Sequence, residues 1–133
     1  MIVCVASPGQ NVYSETFIRT HIERLPGRVL AIYGDWPMWT YENRSIVPPL
    51  LRFAMNYAGR VSAALAGAAN RVAVHRLASF FRAHDVDVVL AEYGTTAVHL
   101  VDPCLKAGTP LVVHFHGCDA YHRDLLSEHS AAY

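Results

Sequence analysis

Residues that could do chemistry gather at the end of a short apolar segment near the C-terminus. Leu111–Phe115 follows Pro110, and His114, His116, Gly117 and Asp119 lie at or just after its end. An apolar run of about five residues bounded by turn-forming residues is typical of a buried parallel strand. Open α/β sheets bind ligands at the carboxyl ends of such strands. The segment therefore predicts one side of a binding cleft.

A second polar group follows the strand predicted one unit earlier, at Val86–Ala91. Glu92 offers a carboxylate that can accept hydrogen bonds from hydroxyl groups, and Tyr93 offers a ring that can pack on the face of a sugar. The ends of two neighbouring strands would then form one polar, hydroxyl-binding surface. The residues predicted for this surface are Glu92, Tyr93, Gly94, His116, Gly117 and Asp119.

The two nearby histidines also suggest a metal site, since residues two apart on a strand share a face. Imidazoles with the carboxylate of Asp119 would suit zinc or manganese. A metal site usually needs three or four ligands, however, and the sequence shows no second cluster of ligands. We therefore expect no metal, with His114 as a packing residue. His116 is the candidate catalytic residue, which could bind a hydroxyl or phosphate or carry a proton.

The first predicted strand, Ile2–Ala6, leads into a loop that contains Gly9. A glycine lets backbone amides approach a phosphate, and the start of the following helix supplies a positive dipole end. Ser14 is a favourable N-cap for that helix. The sequence lacks both G-x-G-x-x-G and a phosphate-loop lysine, so an ordinary strand-to-helix turn remains an alternative interpretation.

The remaining segments alternate between strand and helix patterns, which predicts an α/β fold with a doubly wound, mostly parallel, Rossmann-like sheet. The other predicted strand is Arg28–Tyr33, followed by a long loop that starts at Gly34. The predicted helices run from Ser14 to Leu25, across Leu50–His84 with a break at Gly67–Asn70, across Ala97–Ala107, and across Tyr121–Tyr133.

Charge is balanced, with 11 lysines and arginines against 11 aspartates and glutamates in 133 residues, so net charge does not indicate a nucleic-acid partner. Between Asn43 and His84, however, there are six arginines and no acid. This segment could contact anionic lipid or phosphate. Alternatively, it is a solvated helix face whose arginine stems cover apolar neighbours.

The three cysteines, Cys4, Cys104 and Cys118, have neither metal-binding nor redox spacing. The N-terminus has no signal-peptide pattern, and Arg52 and Arg60 interrupt the most apolar segment, Leu50–Ala69. We therefore expect a cytoplasmic protein, with peripheral contact at the inner membrane face as a further hypothesis.

Four of these segments, in this order, resemble the amino-terminal domain of family 4 glycosyltransferases, which are retaining enzymes of the GT-B fold. The segments are Ser7–Tyr13, Ser14–Ile18, Ala91–Gly94 and Val113–Asp119. The resemblance implies transfer of a sugar from a nucleotide-sugar donor to an acceptor, without a metal or organic cofactor. It places Gly9 near the donor phosphates and His116 beside the transferred sugar. Ser14, Glu92 and Tyr93 would face the acceptor.

The family's second domain, which supplies most donor contacts, is not recognisable in the sequence. We therefore expect residues 1–133 to be a single N-terminal domain that is incomplete at its C-terminal end. Two alternatives stay open: a non-catalytic truncated remnant, and a metal-dependent hydrolase that uses His114, His116 and Asp119.

Overall fold

The computed structural model describes residues 1–10, 16–51, 55 and 62–117. Within these residues the strands form a six-stranded sheet in the order β4-β3-β2-β1-β5-β6. The strands are β1 (Ile2–Ser7), β2 (Arg28–Asp35), β3 (Met38–Tyr41), β4 (Arg44–Ser45), β5 (Val88–Glu92) and β6 (Leu111–His114). The helices are α1 (Thr16–Arg24), α2 (Ala63–Ala83) and α3 (Gly94–Ala107).

The central part of the sheet is parallel, which confirms the predicted α/β class. β1 pairs in parallel with β2 on one side and β5 on the other, and β5 pairs in parallel with β6. Val3, Cys4, Val5 and Ala6 are all buried, as expected for a strand that is covered on both faces. The arrangement is compatible with a Rossmann-like fold.

Side chains of β1 alternate between two layers. Cys4 and Ala6 join a core that also contains Leu77 and Phe81 of α2 and Leu100 of α3. Val3 and Val5 therefore point to the opposite face, and α1, whose Ile18 is buried, contacts β1 and β2. The chain winds from β1 to β2 in one direction and from β5 to β6 in the other. The change of direction falls between β1 and β5, where such sheets open a crevice.

The prediction of a long loop after Gly34 is wrong in part, because the chain forms an antiparallel hairpin there. β3 pairs with β2 and β4 pairs with β3. Glu42 and Asn43 turn the hairpin with φ values of 48° and 61°. Two consecutive residues with positive φ are the backbone of a type I′ turn, which usually carries Asn-Gly. The sequence Glu-Asn gave no such signal.

The predicted helix break at Gly67–Asn70 is also wrong, since α2 continues through it from Ala63 to Ala83. One glycine inside a helix costs only about 1 kcal/mol, and the surrounding alanines favour the helix. Helix α3 begins at Gly94, three residues before the predicted start, and Gly108 closes it as expected with a left-handed φ of 74°.

Several predictions lie outside the described residues: the helix N-cap at Ser14, the site residue Asp119, the helix Tyr121–Tyr133, and residues 52–54 and 56–61 of the segment predicted to be helical from Leu50. Within the described residues, no helix combines the length and apolarity that a membrane crossing requires.

Candidate functional site

The sheet register places three polar residues side by side at the carboxyl ends of adjacent strands. Ala6 of β1 pairs with Ala91 of β5, so that Ser7 and Glu92 are the next residues on each strand. Glu92 in turn pairs with His114 of β6. This row lies at the crevice between β1 and β5 and continues across β6.

Glu92 is the centre of this row, because three imidazoles converge on its carboxylate. His21 Nδ1 lies 2.5 Å from Oε1, His114 Nδ1 lies 3.0 Å from Oε2, and His116 Nε2 lies 3.2 Å from Oε2. His21 comes from α1 and the other two from β6 and the segment after it. We call His21, Glu92, His114 and His116 the imidazole cluster.

The side chains of the imidazole cluster differ in their exposure to solvent. The Glu92 side chain is fully buried, whereas the side chains of His116, His21 and His114 are 15%, 28% and 41% exposed. A buried carboxylate is costly unless it is hydrogen-bonded and paired, and the three imidazoles meet that need. Glu92 therefore fixes the orientation of three rings that remain partly open to solvent.

Two aromatic rings pack against His116. The ring centroids of Phe17 and Tyr93 lie 4.3 Å and 4.4 Å from that of His116. The His114 ring lies 4.3 Å away as well. Such packing restricts rotation of the imidazole, so that its nitrogen atoms keep a defined direction.

Tyr93, predicted as a ligand contact, has an unusual backbone conformation with φ 82° and ψ 142°. Its N–H donates to the carbonyl oxygen of His114 at 3.0 Å, which ties the end of β5 to β6. A non-glycine residue in this region is strained, and such strain is concentrated at functional sites. The conformation turns the chain from Glu92 directly into α3, with Gly94 as the first, buried residue of that helix.

The predicted phosphate loop begins at Ser7, whose hydroxyl donates to the carbonyl oxygen of Gly9 at 3.0 Å. Gly9 is half-buried at the end of the strand next to β5. Gly117 is exposed, directly after His116. The structure thus places Gly9, Glu92, Tyr93, Gly94, His116 and Gly117 at one edge of the sheet. Ser14 and Asp119 lie outside the described residues.

Sequence reasoning missed His21. It falls at helical spacing with Phe17 and Ile18, a pattern that favours a place on the apolar face of α1. No local pattern links it to Glu92, 71 positions away. Glu92 itself was predicted as a direct contact to a ligand, but its side chain lies beneath the imidazoles and positions them.

Two cysteines lie in the core and do not contribute to the site. Burial raises the pKa of the Cys104 thiol to about 12, and burial, followed by the nearby Cys104, raises that of Cys4 still further. Thiols with raised pKa values are poor nucleophiles at neutral pH.

Comparisons of this chain with protein-family models, curated proteins and solved structures gave no match. The function is therefore inferred from the geometry of the strand ends. What this geometry provides is a set of oriented imidazoles on a buried carboxylate at the carboxyl ends of parallel strands, the edge where open α/β sheets bind ligands.

Proposed function

We propose that this chain is the acceptor-side domain of a retaining glycosyltransferase that uses a nucleotide-sugar donor. The observation that carries the proposal is the imidazole cluster at the carboxyl ends of β5 and β6. The cluster includes His116, the residue that the resemblance to family 4 glycosyltransferases puts beside the transferred sugar. A second domain would supply most donor contacts.

In this proposal the imidazoles act as positioned hydrogen-bonding groups. With Nδ1 of His114 at the Glu92 carboxylate, Nε2 points away from it, and the side chain is 41% exposed. An imidazole oriented by a carboxylate keeps one tautomer, as in the serine-protease triad. It can then bind a sugar hydroxyl or a phosphate oxygen without first reorienting.

His116 keeps the role of the residue nearest the reaction. As the sugar–phosphate bond breaks, negative charge develops on the leaving phosphate, and an oriented donor stabilises it. The proposal needs no nucleophile from this domain. Phe17 and Tyr93 would keep His116 in place and exclude water from one side.

The test uses ¹⁵N-histidine-labelled protein that contains this chain and the proposed second domain, titrated with nucleotide sugars and monitored by NMR of the imidazole nitrogens. We expect saturable shifts of His114 and His116, and no change at His75, which is exposed on α2. In an enzyme that contains both domains, His116→Ala should lower kcat roughly 100-fold, the scale for loss of one transition-state donor. Imidazole signals that stay unchanged at saturating concentrations of every nucleotide sugar would overturn the proposal.

A further inference from the structure

We propose that His21, Glu92 and His114 form a binding site for a divalent transition-metal ion of the zinc type. The ligand atoms of these residues all lie within 4.8 Å of one another. They come from α1, β5 and β6, three elements that the fold holds together independently of any ion. The metal site does not depend on the proposed transferase function.

The donor set fits zinc better than magnesium or calcium. Imidazole nitrogens suit zinc, copper, iron and nickel, whereas magnesium and calcium prefer sites made of oxygen ligands. Two histidines and one glutamate are also the protein ligands of several catalytic zinc sites. The set differs from the one that the sequence suggested, because Glu92 and His21 replace His116 and Asp119.

The ligand atoms are close enough for an ion to bind after rotation of the side chains. Tetrahedral zinc with bonds of about 2.0–2.2 Å keeps its ligand atoms about 3.3–3.5 Å apart. His21 Nδ1 and His114 Nδ1 now lie 2.5 Å and 3.0 Å from the oxygens of Glu92. Side-chain rotations that bring the ligand atoms from within 4.8 Å of one another to this spacing would convert the hydrogen bonds into metal bonds.

The surroundings support an open site with one exchangeable position. Three protein ligands leave a fourth position for water or a substrate oxygen. His114 and His21 are 41% and 28% exposed, so this position would face solvent above the buried carboxylate. His116 Nε2, 3.2 Å from Glu92 Oε2, would hold the ligating carboxylate by an outer hydrogen bond.

The ligand at the fourth position would be an oxygen-rich molecule, such as a phosphate or a vicinal diol. Zinc polarises a bound phosphoryl or carbonyl oxygen and lowers the pKa of bound water. The ion could therefore bind a phosphorylated or hydroxylated substrate at the same edge of the sheet.

The experiment is isothermal titration calorimetry of the untagged, metal-stripped 133-residue chain with ZnCl₂. A separate titration uses MgCl₂. We expect one high-affinity zinc per chain and no magnesium binding. His21→Asn and His114→Asn should each weaken zinc binding at least roughly 100-fold, and His116→Ala about 10-fold to 100-fold, as found for outer partners of metal ligands. The matched control is His75→Asn, which removes an exposed histidine on α2 and should leave binding unchanged.

A second readout does not depend on affinity. Cobalt should give the visible spectrum of a four-coordinate site in the wild-type chain and in His75→Asn, but not in His21→Asn or His114→Asn. Circular dichroism of each variant shows whether it is folded, and Glu92→Gln provides a further ligand variant if one histidine variant unfolds. Two results would overturn the proposal: no zinc binding by the wild-type chain, or an equal loss of zinc affinity in His75→Asn and His21→Asn. The four residues would then be a hydrogen-bonded cluster without metal.

Discussion

Nδ1 of His21 lies 2.5 Å from Oε1 of Glu92, although the two residues are 71 positions apart in the chain. This contact joins α1 to the end of β5 across the crevice of the sheet. Because the Glu92 carboxylate also contacts the imidazoles of His114 and His116, one buried side chain connects the first helix with the last described strand. Local stability and the geometry of the site therefore depend on the same side chain.

Glu92→Gln should lower the free energy of unfolding by about 1–3 kcal/mol, because the amide has one acceptor oxygen where the carboxylate has two. Urea unfolding measures the change. The control is Glu23→Gln, which removes an exposed ion pair with Arg19 and should have little effect on the free energy of unfolding. Equal effects of the two substitutions would show that the imidazoles do not depend on Glu92.

Gly34→Ala should be more destabilising than Gly108→Ala. Both glycines have positive φ, 134° and 74°, so alanine is strained at either position. At Gly34 a Cβ would also collide with the carbonyl oxygen of Met38, whereas nothing lies within 4 Å at Gly108. We expect the substitution at Gly108 to lower the free energy of unfolding by about 1 kcal/mol, and the substitution at Gly34 to lower it by at least twice as much. Thermal unfolding of both variants tests the order, and the reverse order would contradict the hairpin geometry at β2 and β3.

Stability should fall in alkaline solution as the buried Cys104 thiol ionises. Its pKa is raised from 9.0 to about 12 by burial, so the folded state holds its proton more tightly than the unfolded chain does. The stabilisation is complete below pH 9.0 and is lost as the pH rises towards about 12. The measurement is urea unfolding between these pH values, with Cys104→Ala as the control. The variant should show a shallower loss of stability, and identical pH profiles would contradict the prediction.

The arginine-rich segment between Asn43 and His84 leads to a prediction about membrane binding. On α2, Arg71 and Arg76 are exposed together with the apolar side chains of Leu65 and Val72, which are 57% and 43% exposed. Arg52 and Arg60 lie outside the described residues. We expect the chain to float with phosphatidylserine vesicles at low salt, because each arginine near such a surface contributes about 1 kcal/mol.

The double variant Arg71→Gln/Arg76→Gln should weaken vesicle binding roughly 30-fold, the equivalent of about 2 kcal/mol. The matched control, Arg24→Gln/Lys106→Gln, removes the same charge from α1 and α3. Binding that is insensitive to salt, or equal for neutral and anionic vesicles, would favour the interpretation of α2 as a solvated helix face.

The sequence predicted the parallel strands because each is a short apolar run between turn residues, and this signal is local. It missed the pairing of β2, β3 and β4 because Glu42-Asn43 is not a usual turn sequence, and because Pro37 lies within the segment and Pro48 and Pro49 follow it. It placed Glu92 and His116 at the same edge because both follow predicted strands. It could not bring His21 to that edge, because the rotation of α1 about its axis is set by packing against the sheet and not by its own sequence.

The register between β5 and β6 has a consequence for folding. Side chains on a strand alternate between faces, so a slip of one residue in the pairing of Glu92 with His114 would turn His114 away from the carboxylate. The contact between the His114 imidazole and Glu92 thus forms in one pairing only. The NMR signals of the His114 imidazole would serve as a time-resolved marker of when the last described strand pairs correctly during refolding, separately from the collapse of the apolar core.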